Sequence, residues 1–132
     1  MSTKFVKPYI IFTKDPAVIP SDLGVWGYAR RYLPFSEEAP EAEVIDHLQE
    51  QRAQLWVGTG CAGVTEVTDD QNMHVWLAGG DLDGLLDMLP SVTLWAGAND
   101  CVAVEVNGRK GWSRVLKNFD FVRKGESMLR YV

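Results

Sequence analysis

The chain has 132 residues, of which 46% are apolar and 23% charged, with five tryptophans. That is the length and composition of one globular domain with a real core, and it excludes a disordered or low-complexity chain. A formal net charge of −5 argues against a general nucleic-acid binder, and no apolar run approaches the roughly 18–20 residues of a membrane span.

The N-terminal "MSTKFVKPYIIFTKDPAV" is basic with a short apolar patch, but Lys7 and Pro8 break it and no small-residue cleavage site follows. It therefore reads as a first strand, Lys7–Lys14, rich in β-branched and aromatic residues. Two prolines, Pro16 and Pro20, delay any helix until Ser21 or Asp22, either of which is a good cap. Leu23, Trp26, Ala29 or Arg30, and Leu33 then recur at helical spacing until Leu33-Pro34 ends the run. The next segment, residues 36–54, reads as a second helix. Ala42, Ile45, Leu48 and Ala53 lie on one face, with acidic residues early, where the helix dipole favours them. His47 sits among polar residues there and reads as solvated surface.

Strands follow. "QLWVGTG" and "CAGVTEVTD" form a predicted hairpin around a glycine turn. "NMHVWLAGG", Asn72–Gly80, alternates Met73, Val75 and Leu77 against His74, Trp76 and Ala78. Residues 81–100 open as a helix capped by Asp81, with Leu82, Leu85, Leu86 and Leu89 as an apolar stripe. Pro90 is expected to interrupt it, leaving a second helix over 91–98. "CVAVEVNG" is a strand and "RKGWSRVLKNF" a helix, with Trp112, Val115, Leu116 and Phe119 on one face. "FVRKGESMLRYV" closes the chain as a strand or a hairpin bent at Lys124-Gly125. The order β-α-α-β-β-β-α-β-α-β predicts a single α+β domain over residues 1–132, built on a mixed, largely antiparallel sheet flanked by helices.

Two cysteines, Cys61 and Cys101, have no metal-binding spacing and no C-x-x-C, and they read as buried or free thiols of a reducing cytoplasm. Charge is unevenly spread. Residues 1–108 carry 6 basic and 16 acidic side chains, whereas residues 109–132 carry 7 basic and 2 acidic ones. A basic end on an acidic body suits head-to-tail self-association or docking on an acidic protein partner. No metal site is expected, nor any specific nucleic acid or membrane partner.

The element order and the stretch "VNGRKGWSRVLKNFDF" resemble the GNAT (GCN5-related) N-acetyltransferases, in which a strand leads to a helix ending in a Gly-Phe step before the final strand. Asp120-Phe121 stands in the place of Gly-Phe. The Gly-Arg-Lys-Gly-Trp start of that helix is similar to the small, divergent GNAT-like proteins of tailed-phage genomes. The resemblance implies acetyl-CoA or CoA as cofactor. It would lie along the backbone of Leu77 and Ala78, with its phosphates near Gly79, Gly80 and Gly84 and cations from Arg109, Lys110 and Arg114. Departures from the family pattern are equally specific. The Arg or Gln that leads the family's phosphate loop is missing, and Asp81, Asp83 and Asp87 bring charge of the wrong sign to the stretch. Leu116 stands where many members carry a tyrosine general acid. Candidate catalytic bases are Glu66, His74 and Glu105, each of which also fits the wetter side of a strand.

These departures lead to the expectation of a degenerate acyl-CoA site on a non-catalytic accessory or structural protein. It would be encoded by a phage or prophage, meet virion proteins and reside in the host cytoplasm or the virion. An active N-acyltransferase on an unknown amine is the alternative, and an unrelated α+β interaction domain the second.

Overall fold

A computed structural model describes residues 9–11, 24–107 and 110–132, the side chains of 9–11, 110 and 111 excepted. Among the described residues the elements run β1 (Tyr9–Ile11), α1 (Gly24–Ala29), α2 (Glu41–Gln49), β2 (Ala53–Gly58), β3 (Cys61–Val67), β4 (Asn72–Gly80), α3 (Leu82–Ala98), β5 (Ala103–Asn107), α4 (Lys110–Leu116), β6 (Val122–Lys124) and β7 (Ser127–Tyr131). The strands form one mixed sheet of order β1-β2-β3-β4-β5-β7-β6, an α+β fold. β1 pairs parallel with β2 and β4 parallel with β5, whereas β7 is antiparallel to both β5 and β6. The two-residue turn between β2 and β3 and the short one between β3 and β4 make those neighbours antiparallel hairpins.

The chain groups into two units, Met1–Thr65 with Leu77–Met88, and Glu66–Trp76 with Leu89–Val132. In the first, β2 is buried along its whole length, and Leu55, Trp56 and Val57 are its main apolar contribution. A strand buried on both faces has to satisfy any polar side chain internally. Gln54 and Thr65 do so with Trp56. The Trp56 indole N–H donates to Thr65 Oγ1 at 2.8 Å, and the Thr65 hydroxyl donates to Gln54 Oε1 at 2.9 Å.

α2 departs from the expected face. Pro40 stands at its N-cap position and the helix stops at Gln49, so Val44 and Leu48 are the buried pair. Ala42 is exposed, and Ala53 already belongs to β2. α1 is tied to α2 by Arg30, which grips Glu41 through two bonds of 2.7 and 2.8 Å, while the Trp26 indole donates to the same carboxylate. The guanidinium beside it holds the Glu41 carboxyl below its ordinary value. Ser21, Asp22 and Leu23, named above as cap and first apolar position, lie outside the described residues, as does the rest of the expected first strand beyond Tyr9–Ile11.

In the second unit, Met73, Val104, Met128 and Leu116 are essentially sealed from solvent. α3 runs unbroken through Pro90, where an interruption was expected. A proline inside a helix costs about 3 kcal/mol, because the carbonyl four residues back loses its partner. Beyond Pro90, Val92 and Ala96 are buried, as is Leu89 just before it. Each larger apolar side chain returns about 1.5–3 kcal/mol on burial, so packing outweighs the proline. The Thr93 hydroxyl also donates to the Leu89 carbonyl at 2.8 Å. After α4, a short 3-10 turn over Lys117–Phe119 ends at Asp120, whose φ of 65° and ψ of 23° are left-handed. β6 and β7 then form the hairpin expected around Lys124-Gly125.

Three measurements check this account by chemical denaturation. Thr65→Val removes the hydroxyl that accepts from the Trp56 indole and donates to Gln54 Oε1, and is expected to lower stability by about 1–3 kcal/mol. Asp120→Gly relieves a left-handed non-glycine backbone and is expected to be neutral or to stabilise by up to about 1 kcal/mol. Glu41→Gln is expected to lower stability by less than about 1 kcal/mol near neutral pH, because the pair is largely exposed. A depressed carboxyl contributes stability above its unfolded pKa and loses it as pH falls through the folded value, so the Glu41→Gln difference should vanish in acid.

Candidate functional site

Two places in the fold collect the residues singled out above, one in each unit. The first is the junction between the β2–β3 turn, the end of β4 and the start of α3. Here β4 ends on Gly79 and Gly80, and both are held by protein. A Cβ at Gly79 would run into the Tyr32 carbonyl oxygen, and one at Gly80 into the Gly60 carbonyl and the Cys61 backbone. Gly80 also has a φ of 98°, which a residue with a side chain adopts only under strain. The next amide, the Asp81 N–H, donates to the Gly60 carbonyl at 2.9 Å.

Asp81 then caps α3 as its position suggested. Its Oδ2 accepts the Gly84 N–H at 2.9 Å, and its carbonyl accepts the Leu85 N–H at 3.1 Å. Thus the backbone donor an anion would seek at Gly84 already faces a carboxylate. Asp81, Asp83 and Asp87 are all exposed. Their charge reaches the neighbouring core, where burial pushes the Cys61 thiol up and Asp81, then Asp87, adds to the effect. The turn itself is clamped by Tyr28, whose hydroxyl accepts the Gly60 N–H at 2.7 Å and donates to the Gly58 carbonyl at 3.1 Å. Burial raises the Tyr28 phenol. Of the expected cofactor strand, Leu77 is buried and Ala78 half-buried.

The second place is one face of the sheet in the second unit. The β4–β5 register sets His74 opposite Glu105, so in a parallel pair both side chains leave the same face. Glu66, near the end of β3, meets His74 from the strand on the other side of β4, with its Oε1 3.2 Å from His74 Nδ1. The side chains are 17% and 29% exposed, so this contact is partly shielded from water. Glu105 is held at both oxygens. Asn72 Nδ2 donates to Oε1 at 3.0 Å, and the Ser127 hydroxyl to Oε2 at 3.3 Å. The structure therefore brings all three candidate bases onto one face, where the sequence had offered them as independent alternatives. Among the described residues the β4–β5 ladder ends at this point, its last pair being His74 with Glu105, although both strands continue.

Chemically, a carboxylate at Nδ1 fixes an imidazole with its proton on that nitrogen, so that Nε2 is left to accept one. That is the arrangement of a general base with an orienting partner. A matching general acid is absent from α4 among the described side chains. Leu116 is 1% exposed and belongs to the core, so its position does not face a site. Tyr28 is committed to the turn, Tyr32 packs its ring on Tyr28 at 5.3 Å, and Tyr131 lies exposed on β7.

Arg109 lies outside the described residues, as does the side chain of Lys110, while Arg114 is exposed near the end of α4. His47 is half-buried rather than fully solvated. Cys61 and Cys101 are buried and unpaired in any disulfide. Among the described residues no group of three or more His, Cys, Asp or Glu side chains is arranged to hold a metal, and no helix is long and apolar enough to cross a membrane. Asn72 and Ser127 were missed by sequence reasoning. Asn72 was legible in principle, because it lies two residues before His74 and so on the same strand face. Ser127 was not, because its meeting with Glu105 depends on the β5–β7 register. Compared with family models, with curated proteins and with solved structures, the chain shows no match.

The contacts at the first place yield one expectation. Gly79→Ala and Gly80→Ala each force a side chain into a backbone carbonyl, and each is expected to destabilise the fold by about 2–4 kcal/mol in denaturant titrations. Loss of ligand binding in either variant would then report on folding and not on a cofactor.

Proposed function

We propose that this chain is a divergent GNAT-like domain whose acyl-CoA phosphate site is closed from within, and that it serves as a non-catalytic accessory or structural protein. The observation that carries the reading is Asp81. The family seats the cofactor pyrophosphate on the amides that open the helix after the fourth strand. In this chain the Asp81 amide is spent on Gly60 and the Gly84 amide on the Asp81 carboxylate. A pyrophosphate approaching Gly84 would have to displace that carboxylate and then lie beside it. Two like charges at about 4 Å repel by about 4 kcal/mol at an effective dielectric of 20, whereas an exposed helix terminus returns only about 0.3–1 kcal/mol. Repulsion wins.

Support for the family itself comes from three features. The element order matches. β4 and β5 pair in parallel and their ladder stops early. Asp120 adopts the left-handed conformation that suits the glycine the family carries there. The role left to such a domain is docking. Arg114, Lys117 and Lys124 are exposed cations on α4, the turn after it and β6, and they suit an acidic protein surface, whether a virion protein of a tailed phage or a second copy. The test is calorimetric titration of the intact protein with acetyl-CoA and with CoA at low salt. The proposal expects a Kd no tighter than about 1 mM for either. A Kd in the micromolar range would overturn it.

One observation favours a second reading, an active N-acyltransferase. The Glu66–His74 pair sits where the β4–β5 ladder ends, and His74 Nε2 is suited to take a proton from an attacking amine. In that reading, release of CoA from acetyl-CoA by a panel of amines is measurable above background. It falls by about 10²-fold or more in His74→Gln and less in Glu66→Gln, which orients the ring. The first reading expects no release by the unaltered protein.

A further inference from the structure

We draw no further inference here: the strongest candidate, the exposed apolar patch of Leu94, Val102 and Val132 beside Gly97 in the second unit, has nothing in the structure to show what covers it.

Discussion

The hydrogen bond from the Asp81 amide to the Gly60 carbonyl is the constraint on which the first unit's chemistry depends. It fastens the start of α3 to the β2–β3 turn, and the approach is so close that only glycine fits at position 80, while the Tyr32 carbonyl makes the same demand at position 79. Tyr28 holds the same turn from the other side by bridging Gly58 and Gly60. Once the turn and the helix start are locked, the Asp81 carboxylate falls naturally onto the Gly84 amide. The glycines of a stretch that resembles a phosphate cradle in sequence all lie against other atoms of the chain, Gly79 against the Tyr32 carbonyl, Gly80 against the Gly60 carbonyl and Gly84 against the Cys61 thiol.

The second unit presents the opposite case. Nothing in its core requires Glu66, His74 and Glu105 to share a face, and a solvated sheet surface would accept many other polar residues there. Yet Glu105 is held at both oxygens and His74 is oriented by Glu66. Held carboxylates and a held imidazole are what proton transfer needs. The two units therefore pull the functional reading in different directions. One unit keeps a base-like arrangement, while in the other the anion donors of a helix start are engaged by the chain itself. The proposal of a non-catalytic domain rests on the electrostatic balance at Asp81, where a bound phosphate would lie beside a carboxylate.

Much of the fold was legible. β4 spans the expected Asn72–Gly80, and the capping of α3 by Asp81 followed from an aspartate placed just before an apolar helical stripe. The continuity of α3 through Pro90 was not legible, because a local rule against proline was overridden by tertiary burial of Val92 and Ala96. α2 was misread in its face because Pro40 sets its start later than the acidic run suggested. Of the site, His74 and Glu105 could each be placed on a strand, but their standing opposite each other, and the contact of His74 with Glu66, depend on register. A parallel pair of strands joined through a helix leaves no register signal in the sequence.

The most direct measurement is amide hydrogen exchange at Asp81 and Gly84 in the free protein, read residue by residue at neutral pH. Internal engagement of both amides predicts protection comparable to the interior of α3, unchanged by millimolar inorganic phosphate or CoA. Exchange at the rate of an open loop, with protection appearing only when phosphate or CoA is added, would contradict it.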